Sequence, residues 1–514
     1  MDAMKTRQSF PHFADDLLNR LSTGGAFVAG FTYLTAAFLL RVAIVPNLVP
    51  DEAEQLVYVQ SLELGYEAKN PPLFSWLVWI LTFPFGIGVM PVALVHAACL
   101  FVFYACLYAA SRQVLEDKQL AALAALSPFA LWFVGWDALL NYGHSVLLAA
   151  CCAATLMLTV RISAAPRFRD YVLLGAVLGA GLLAKYNYLL FVLALFGSAL
   201  IERGVRSRLF AWPFMLSVAI AIAIALPHGL WLLSHASALA ANAKRALQPS
   251  DLPGTRDNVQ ASWRALHAAF SFALPFLPLF AIVFAPALLR RSNTTSQSSA
   301  QRRLILRALL LFLVLFTAIA ALASLREPRP SYIFAIAWLP LPAFLLLAPE
   351  RVSAGQKRAY VTILMALGLS SLIAMSVKGF FDPLFCTRCR RHVPYTVYAD
   401  ALRDAGFSGG TIYSVSRHGG GENLRLYFPD SRFISVKWQY RPPPMAGPLP
   451  CLIVWDATHE PDTPTWLRRE QAGQAPLLPA DQPVHTIVAP MHYSQRPGMA
   501  LGYAIIPADR ARCP

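Results

Sequence analysis

Apolar and polar residues along this chain segregate into long blocks. Runs almost free of charge recur near 25–45, 88–111, 119–136, 139–160, 171–185, 187–201, 211–233, 267–289, 304–323, 331–348 and 358–377. Crossing the hydrocarbon core of a bilayer takes about 20 apolar residues in a helix. The pattern therefore predicts about eleven spans, the first a retained anchor without a small-residue cleavage site. A further run, 73–85, is short and closed by Pro84, and predicts a re-entrant or interfacial helix. Every second connection between runs is basic: Lys5/Arg7/Arg20, Arg112/Lys118, Arg161/Arg167/Arg169, Arg203/Arg206/Arg208, Arg290/Arg291/Arg302/Arg303 and Arg351/Lys357/Arg358. Lys and Arg accumulate in cytoplasmic loops. The alternation thus puts the N-terminal stretch 1–24 in the cytoplasm. The first loop 46–87, the turn at Lys185, the connections 234–266 and 324–330, and the chain beyond about 380 fall outside.

Composition agrees with the pattern. Of 514 residues 57% are hydrophobic and 14% charged, and the mean hydropathy is +0.50, which excludes an ordinary soluble fold. The net charge of +15 is dispersed over connections with no basic stripe interleaved with aromatics, so no nucleic-acid partner is expected. After about residue 380 polar sequence, Gly/Pro punctuation and the strand-like TIYSVS and CLIVWD predict a small α/β domain over 380–514. In that domain GGGENLRLYF reads as a glycine turn followed by a strand. The fold expected is a polytopic α-helical membrane protein, with a transmembrane domain at 25–379 and a periplasmic α/β domain after it. Its place is the bacterial inner membrane. Cys99, Cys106, Cys151 and Cys152 lie within spans and read as reduced core residues. Cys386, Cys389, Cys451 and Cys513 lie outside, where oxidising conditions favour disulfides. Their three pairings stay open. Zinc at the Cys386–Cys389 spacing is a second reading that lacks a matching ligand pair.

Candidate chemistry gathers at the outer face. The first loop reads PDEAEQLVYVQSLELGYEAKNPPLFSW. Leu56, Val59, Leu62 and Leu64 at roughly helical spacing predict an amphipathic helix on the membrane surface, with Asp51 and Glu52 in its first turn. Capping and chemistry are equal readings of those two acids taken alone; Glu54 is expected to face water. The same side carries Lys69, Asp137, Lys185, Arg326 and Arg329, with His228, Trp231 and His235 on one helical face. Arg41 lies inside the first span, where a charge usually has a partner. Each basic residue also has a plainer reading as a snorkelling side chain. Acids and bases together fit group transfer, with a carboxylate as general base and cations holding a phosphate leaving group.

DEAEQLVYVQSLELGYEAKNPPLFSW, WDALLNYGHSVLLAACCAAT and LLGAVLGAGLLAKYNYLL, in that order, resemble bacterial glycosyltransferase family 39 of the GT-C class. The protein O-mannosyltransferases and the aminoarabinose transferase of lipid A are relatives in that family. The resemblance spans about 25–350 and implies inverting transfer of a sugar from a polyprenyl-phosphate donor to a periplasmic acceptor, which is a lipid A or other glycan, a lipid or a protein. It implies Asp51 as the catalytic acid position with Glu52 beside it. Lys69, Lys185, Arg326 and Arg329 would face the donor phosphate. Tyr66, Asp137, Tyr186 and His228 would line the substrate pocket. Asn70 stands between Lys69 and the prolines, a departure from many relatives. No cofactor is required and no metal ligand set is assigned; a divalent metal stays open, with His228 its one local ligand. The 380–514 region resembles the outer domain of one bacterial branch. The alternative function is a transporter or flippase of lipid-linked glycans.

Overall fold

The computed structural model describes residues 14–247, 258–289, 300–323, 330–386, 389–416, 420–447, 449–468, 477–479, 481–508 and 513. Two compact units divide the chain. The first comprises Met1–Ala37, Ala68–Phe74 and His96–Leu372; the second comprises Phe38–Glu67, Ser75–Val95 and Ile373–Pro514.

Helices dominate the first unit. Among the described residues six helices are long and apolar enough to cross a membrane: Ala14–Ile44, Val89–Val114, Gly143–Ala164, Phe214–Ser234, Ala300–Leu322 and Ala354–Phe385. Tyr188–Ile201 and Arg203–Leu209 make a pair bent by 117°, and Leu73–Phe85 and Phe276–Leu289 are shorter apolar helices. Leu233, Ile282, Leu289 and Leu322 are each at least 74% exposed. Such side chains suit lipid, not water, and the chain is a multi-pass membrane protein. Three expected spans are broken: the 267–289 run is split between Asn258–Phe272 and Phe276–Leu289, and two others fall into shorter pieces. The 119–136 run forms Lys118–Leu126, a 3-10 turn Ser127–Ala130 and a short helix Trp132–Gly135. The 331–348 run forms Pro330–Ile333, Phe334–Ile336 and Pro340–Leu345. Pro128, Pro340 and Pro342 interrupt the helical hydrogen bonds in these runs, and almost all of 333–345 is buried in protein, where irregular backbone is tolerated at membrane depth.

Connections that alternate in sequence meet in space within this unit. Arg358 pairs with Asp15 at 2.6 Å, Lys357 with Asp117, and Arg303 with Glu202 at 2.6 Å. Arg208 donates to the carbonyls of Ser163 and Ala164. These are the basic connections that the charge pattern assigns to one side. Residues 145, 185–187, 228 and 331–332 meet in the other set.

The second unit is built on a five-stranded sheet: β1 (Thr411–Ser414), β2 (Arg432–Ser435), β3 (Cys451–Asp456), β4 (His485–Ile487) and β5 (Leu501–Ile506), in the order β2-β1-β3-β5-β4. β1 runs parallel to β2 and β3, while β5 runs antiparallel to β3 and β4. TIYSVS and CLIVWD supply β1 and β3, as their apolar, β-branched composition predicts. NLRLYF does not form a strand: Glu422–Leu426 is a 3-10 helix. Its polar residues Asn423 and Arg425 are buried and bonded to the carbonyls of Leu48 and Leu56, a tertiary demand that strand propensity does not register. Cys386 bonds to Cys389, and Cys451 to Cys513. Cys99, Cys151 and Cys152 are free and buried, and Cys106 is free and half-buried.

The first loop belongs to this second core. Its helix Pro50–Tyr58 buries every residue from Glu52 to Tyr58, and Val57, Tyr58 and Tyr66 join a cluster with Tyr395, Leu424, Phe433 and Leu452. The expected membrane-surface helix is therefore corrected to a core helix. Leu56 and Val59 find protein instead of lipid, while Leu62 and Leu64 lie beyond the helix end and stay exposed.

Candidate active site

Arg41 explains half of the acidic opening of the first loop. Its guanidinium donates to the carbonyls of Val45 (2.8 Å) and Asn47 (3.1 Å) and to Glu52 Oε2 at 2.7 Å, with both side chains almost fully buried. Glu52 Oε2 also accepts the Val49 N–H at 3.3 Å, one arm of a capping box. Glu52 is thus the acid that caps the helix and neutralises the span's buried charge. Glu54, expected in water, is buried at 5% exposure and receives a long bond from Gln55. Asp51 differs from both. It is exposed, and among the described residues its carboxylate has no ion pair or hydrogen bond.

Tyr66 is a packing residue. It stacks on Tyr58 at 4.9 Å, meets Tyr440 edge-on at 5.2 Å, and its hydroxyl donates to the Ser61 carbonyl at 2.9 Å.

In the first unit the geometry centres on the N-terminus of the Gly143–Ala164 helix. The preceding residue, Tyr142, has φ +68°, a left-handed conformation that costs a non-glycine residue about 1–2 kcal/mol. Lys185 ends the Phe168–Ala184 helix in extended backbone. Its Nζ donates to Ser145 Oγ at 2.7 Å and to the Ser331 carbonyl at 3.2 Å. Asn187 donates to the Tyr332 carbonyl at 2.8 Å. The NPPLF segment that follows Lys69 reaches the same helix end: the Phe74 ring lies 5.2 Å from His144. A Cβ on Gly143 would lie only 2.5 Å from that ring. Lys69 itself is exposed. Asp137 opens a 3-10 turn, Asp137–Leu139, just before. A helix N-terminus carries partial positive charge and unpaired N–H groups, and the Lys185 ammonium adds a full positive charge beside it.

The Tyr186 hydroxyl lies 3.1 Å from His228 Nε2. His228, Trp231 and His235 stack along one helix face, with centroids 5.7 and 4.2 Å apart. Among the described residues no group of three His, Cys, Asp or Glu side chains is placed to hold a metal ion. Arg326 and Arg329 lie outside the described residues. Ser145 and Ser331, the partners of Lys185, had no signal in the sequence: a serine entering a helix and one after a proline are commonplace.

With this geometry in view, comparison with known proteins defines the class. The family model described as dolichyl-phosphate-mannose-protein mannosyltransferase matches residues 69–231. Two curated proteins of Rhizobium johnstonii are similar over nearly the whole chain. The lipopolysaccharide core galacturonosyltransferase RgtB is 26% identical, over 87% of this chain and 92% of that protein. The lipopolysaccharide core galacturonosyltransferase RgtA is 25% identical, over 94% and 97%. The crystal structure of ArnT from Cupriavidus metallidurans bound to undecaprenyl phosphate shares the fold, with TM-score 0.59 at 16% identity, over 93% of this chain and 97% of that one. The apo structure gives 0.59 at 14% identity, over 95% and 98%. Together these matches support a glycosyltransferase of the GT-C class, of the family 39 type.

Proposed function

We propose that the chain transfers a sugar, with inversion, from a polyprenyl-phosphate carrier to an acceptor on the periplasmic side of the inner membrane. In this reading residues 25–379 form the catalytic membrane domain, 380–514 the periplasmic domain, and the N-terminus is cytoplasmic. The observation that carries the reading is Lys185 at the N-terminus of the Gly143–Ala164 helix, where the NPPLF segment also arrives. That corner suits a phosphate that must leave with an added negative charge. Asp51 takes the proton of the acceptor hydroxyl, whose oxygen attacks the anomeric carbon. The bond from that carbon to the phosphate oxygen breaks, and its electron pair goes to the phosphate, held by Lys69 and Lys185 with Arg326 and Arg329. Asp137, Tyr186 and His228 orient the sugar. The step needs no cofactor.

The names of the two Rhizobium relatives favour a galacturonosyl group as the sugar and a lipopolysaccharide core as the acceptor. The ArnT complex favours undecaprenyl phosphate as the carrier. The test is incubation of the full chain in lipid nanodiscs with polyprenyl-phosphate galacturonate and a core acceptor, with products read by mass spectrometry. Galacturonate on the acceptor is expected. Movement of the intact lipid-linked sugar across proteoliposomes without product would replace this reading by the flippase.

A further inference from the structure

The sheet of the second unit has a topological switch point that the transfer chemistry does not use. From β1 the chain crosses to β2 on one side, and from β3 it goes to β4 and β5 on the other. In open sheets of this kind the crevice outside the carboxyl ends of the two diverging strands is the usual ligand position. A cavity of about 530 Å³ opens beside the carboxyl end of one of these strands, β3, and the approach to β5, lined by Asp456 at the end of β3, Thr458, His459, Arg390 and Met499, within the size range of small-molecule sites. A smaller recess shares Arg390, Val393 and Met499 and is lined by Glu422.

Three polar groups in these walls have unspent capacity. Arg390 is half-buried and among the described residues makes no hydrogen bond or ion pair. Glu422 is 4% exposed. Its Oε2 accepts the Gly420 N–H at 2.8 Å, and its Oε1 has no partner among the described residues. His459 Nδ1 lies 2.8 Å from Asp456 Oδ2, and Asp456 Oδ1 accepts the N–H groups of Thr458 and His459. That arrangement orients the imidazole with Nδ1–H toward the carboxylate and leaves Nε2 as an acceptor. A buried carboxylate oxygen without a donor is costly, and the recess of about 20 Å³ in front of Glu422 has room for a water to supply one. The walls of the larger cleft therefore call for a molecule with an anionic group for Arg390, a hydroxyl proton for His459, and a C–H face for Met499 and Val393.

We propose that this cleft binds an anionic saccharide, its charge a carboxylate or a phosphate ester. That this saccharide is the acceptor rests on the transferase reading; the binding does not.

The test uses the full chain in phosphatidylcholine nanodiscs, titrated with glucuronate, glucose 6-phosphate and glucose, and read by saturation-transfer NMR and calorimetry. Saturable binding of one or both acids, with glucose much weaker, is the expected result, and the two acids separate carboxylate from phosphate recognition. Arg390→Ala should weaken binding by about ten-fold or more, and Arg390→Lys should restore part of it. Glucose binding as well as the acids, no saturable binding, or an Arg390→Ala variant that binds like the unaltered chain would overturn the proposal. In the transfer assay Arg390→Ala should raise KM for the acceptor with kcat unchanged. A kcat loss at unchanged KM removes the acceptor assignment. Saccharide binding by a chain that transfers nothing refutes the transferase reading and leaves the cleft intact.

Discussion

Three neighbouring carboxylates show how burial and partners divide a single acidic cluster. Glu52 lies deep beside Arg41, and both are out of water. A buried pair of this kind contributes little net stability, but removing one member strands the other's charge, at about 3–5 kcal/mol. Glu52→Gln should therefore lower Tm sharply, read by thermal unfolding in detergent, and lose activity only as folded protein is lost. Asp51→Asn should do the opposite. Its side chain is exposed, so Tm should hold while transfer falls about 10²–10⁴-fold, the usual span for a lost general base. Full activity in Asp51→Asn would remove the base assignment. The capping reading and the chemical reading thus fall on different residues.

At the level of elements, the Phe168–Ala184 helix packs against Phe214–Ser234 through small residues. A Cβ on Gly175 would come within 2.7 Å of the Ser217 carbonyl oxygen, and one on Gly179 within 2.7 Å of Ile224. Gly175 and Gly179 are four apart on one face, the spacing by which membrane helices approach closely. Gly175→Leu meets rigid backbone and should separate the helices, costing Tm and displacing Lys185 at the helix end. Gly204→Ala, with nothing within 4 Å, is the control and should leave both unchanged. In the second unit, Cys451–Cys513 ties the start of β3 to a residue 62 positions later. Closing a loop of that length removes about 4 kcal/mol of unfolded-state entropy. Cys451→Ala with Cys513→Ala should lower the denaturant midpoint of the sheet domain, followed by its tryptophan fluorescence.

For the molecule as a whole, pH acts through a histidine that the fold keeps neutral. His392 is 1% exposed, and neither ring nitrogen has a partner among the described residues. Burial pushes its pKa from 6.5 down to about 4, with His492 and Arg391 adding and Asp382 opposing. Between these values the unfolded chain binds a proton that the folded chain refuses. The stabilisation is therefore complete above about pH 6.5 and is lost progressively as pH falls toward 4. The drop in Tm between pH 7 and 4.5 should be smaller in His392→Phe than in the unaltered chain; an equal drop would assign the acid sensitivity elsewhere.

What the sequence by itself determined is the part governed by local or compositional physics. Runs of apolar residues require lipid or a core, alternating basic connections sort to one face, and β-branched segments such as CLIVWD pair as strands. These rules need no knowledge of distant neighbours, and they made the membrane fold, the sheet domain and the candidate residues of the first loop legible. Only the tertiary structure decided which charges were already spent. Arg41 is eleven residues from Glu52, Lys185 is forty from Ser145, and Asn423 is 375 from Leu48. It also broke three apolar runs into shorter pieces, and it turned the loop helix Pro50–Tyr58 inward, because an apolar face is indifferent to whether protein or lipid covers it. Burial and pairing are properties of what packs alongside a residue, and folding supplies those neighbours from far along the chain.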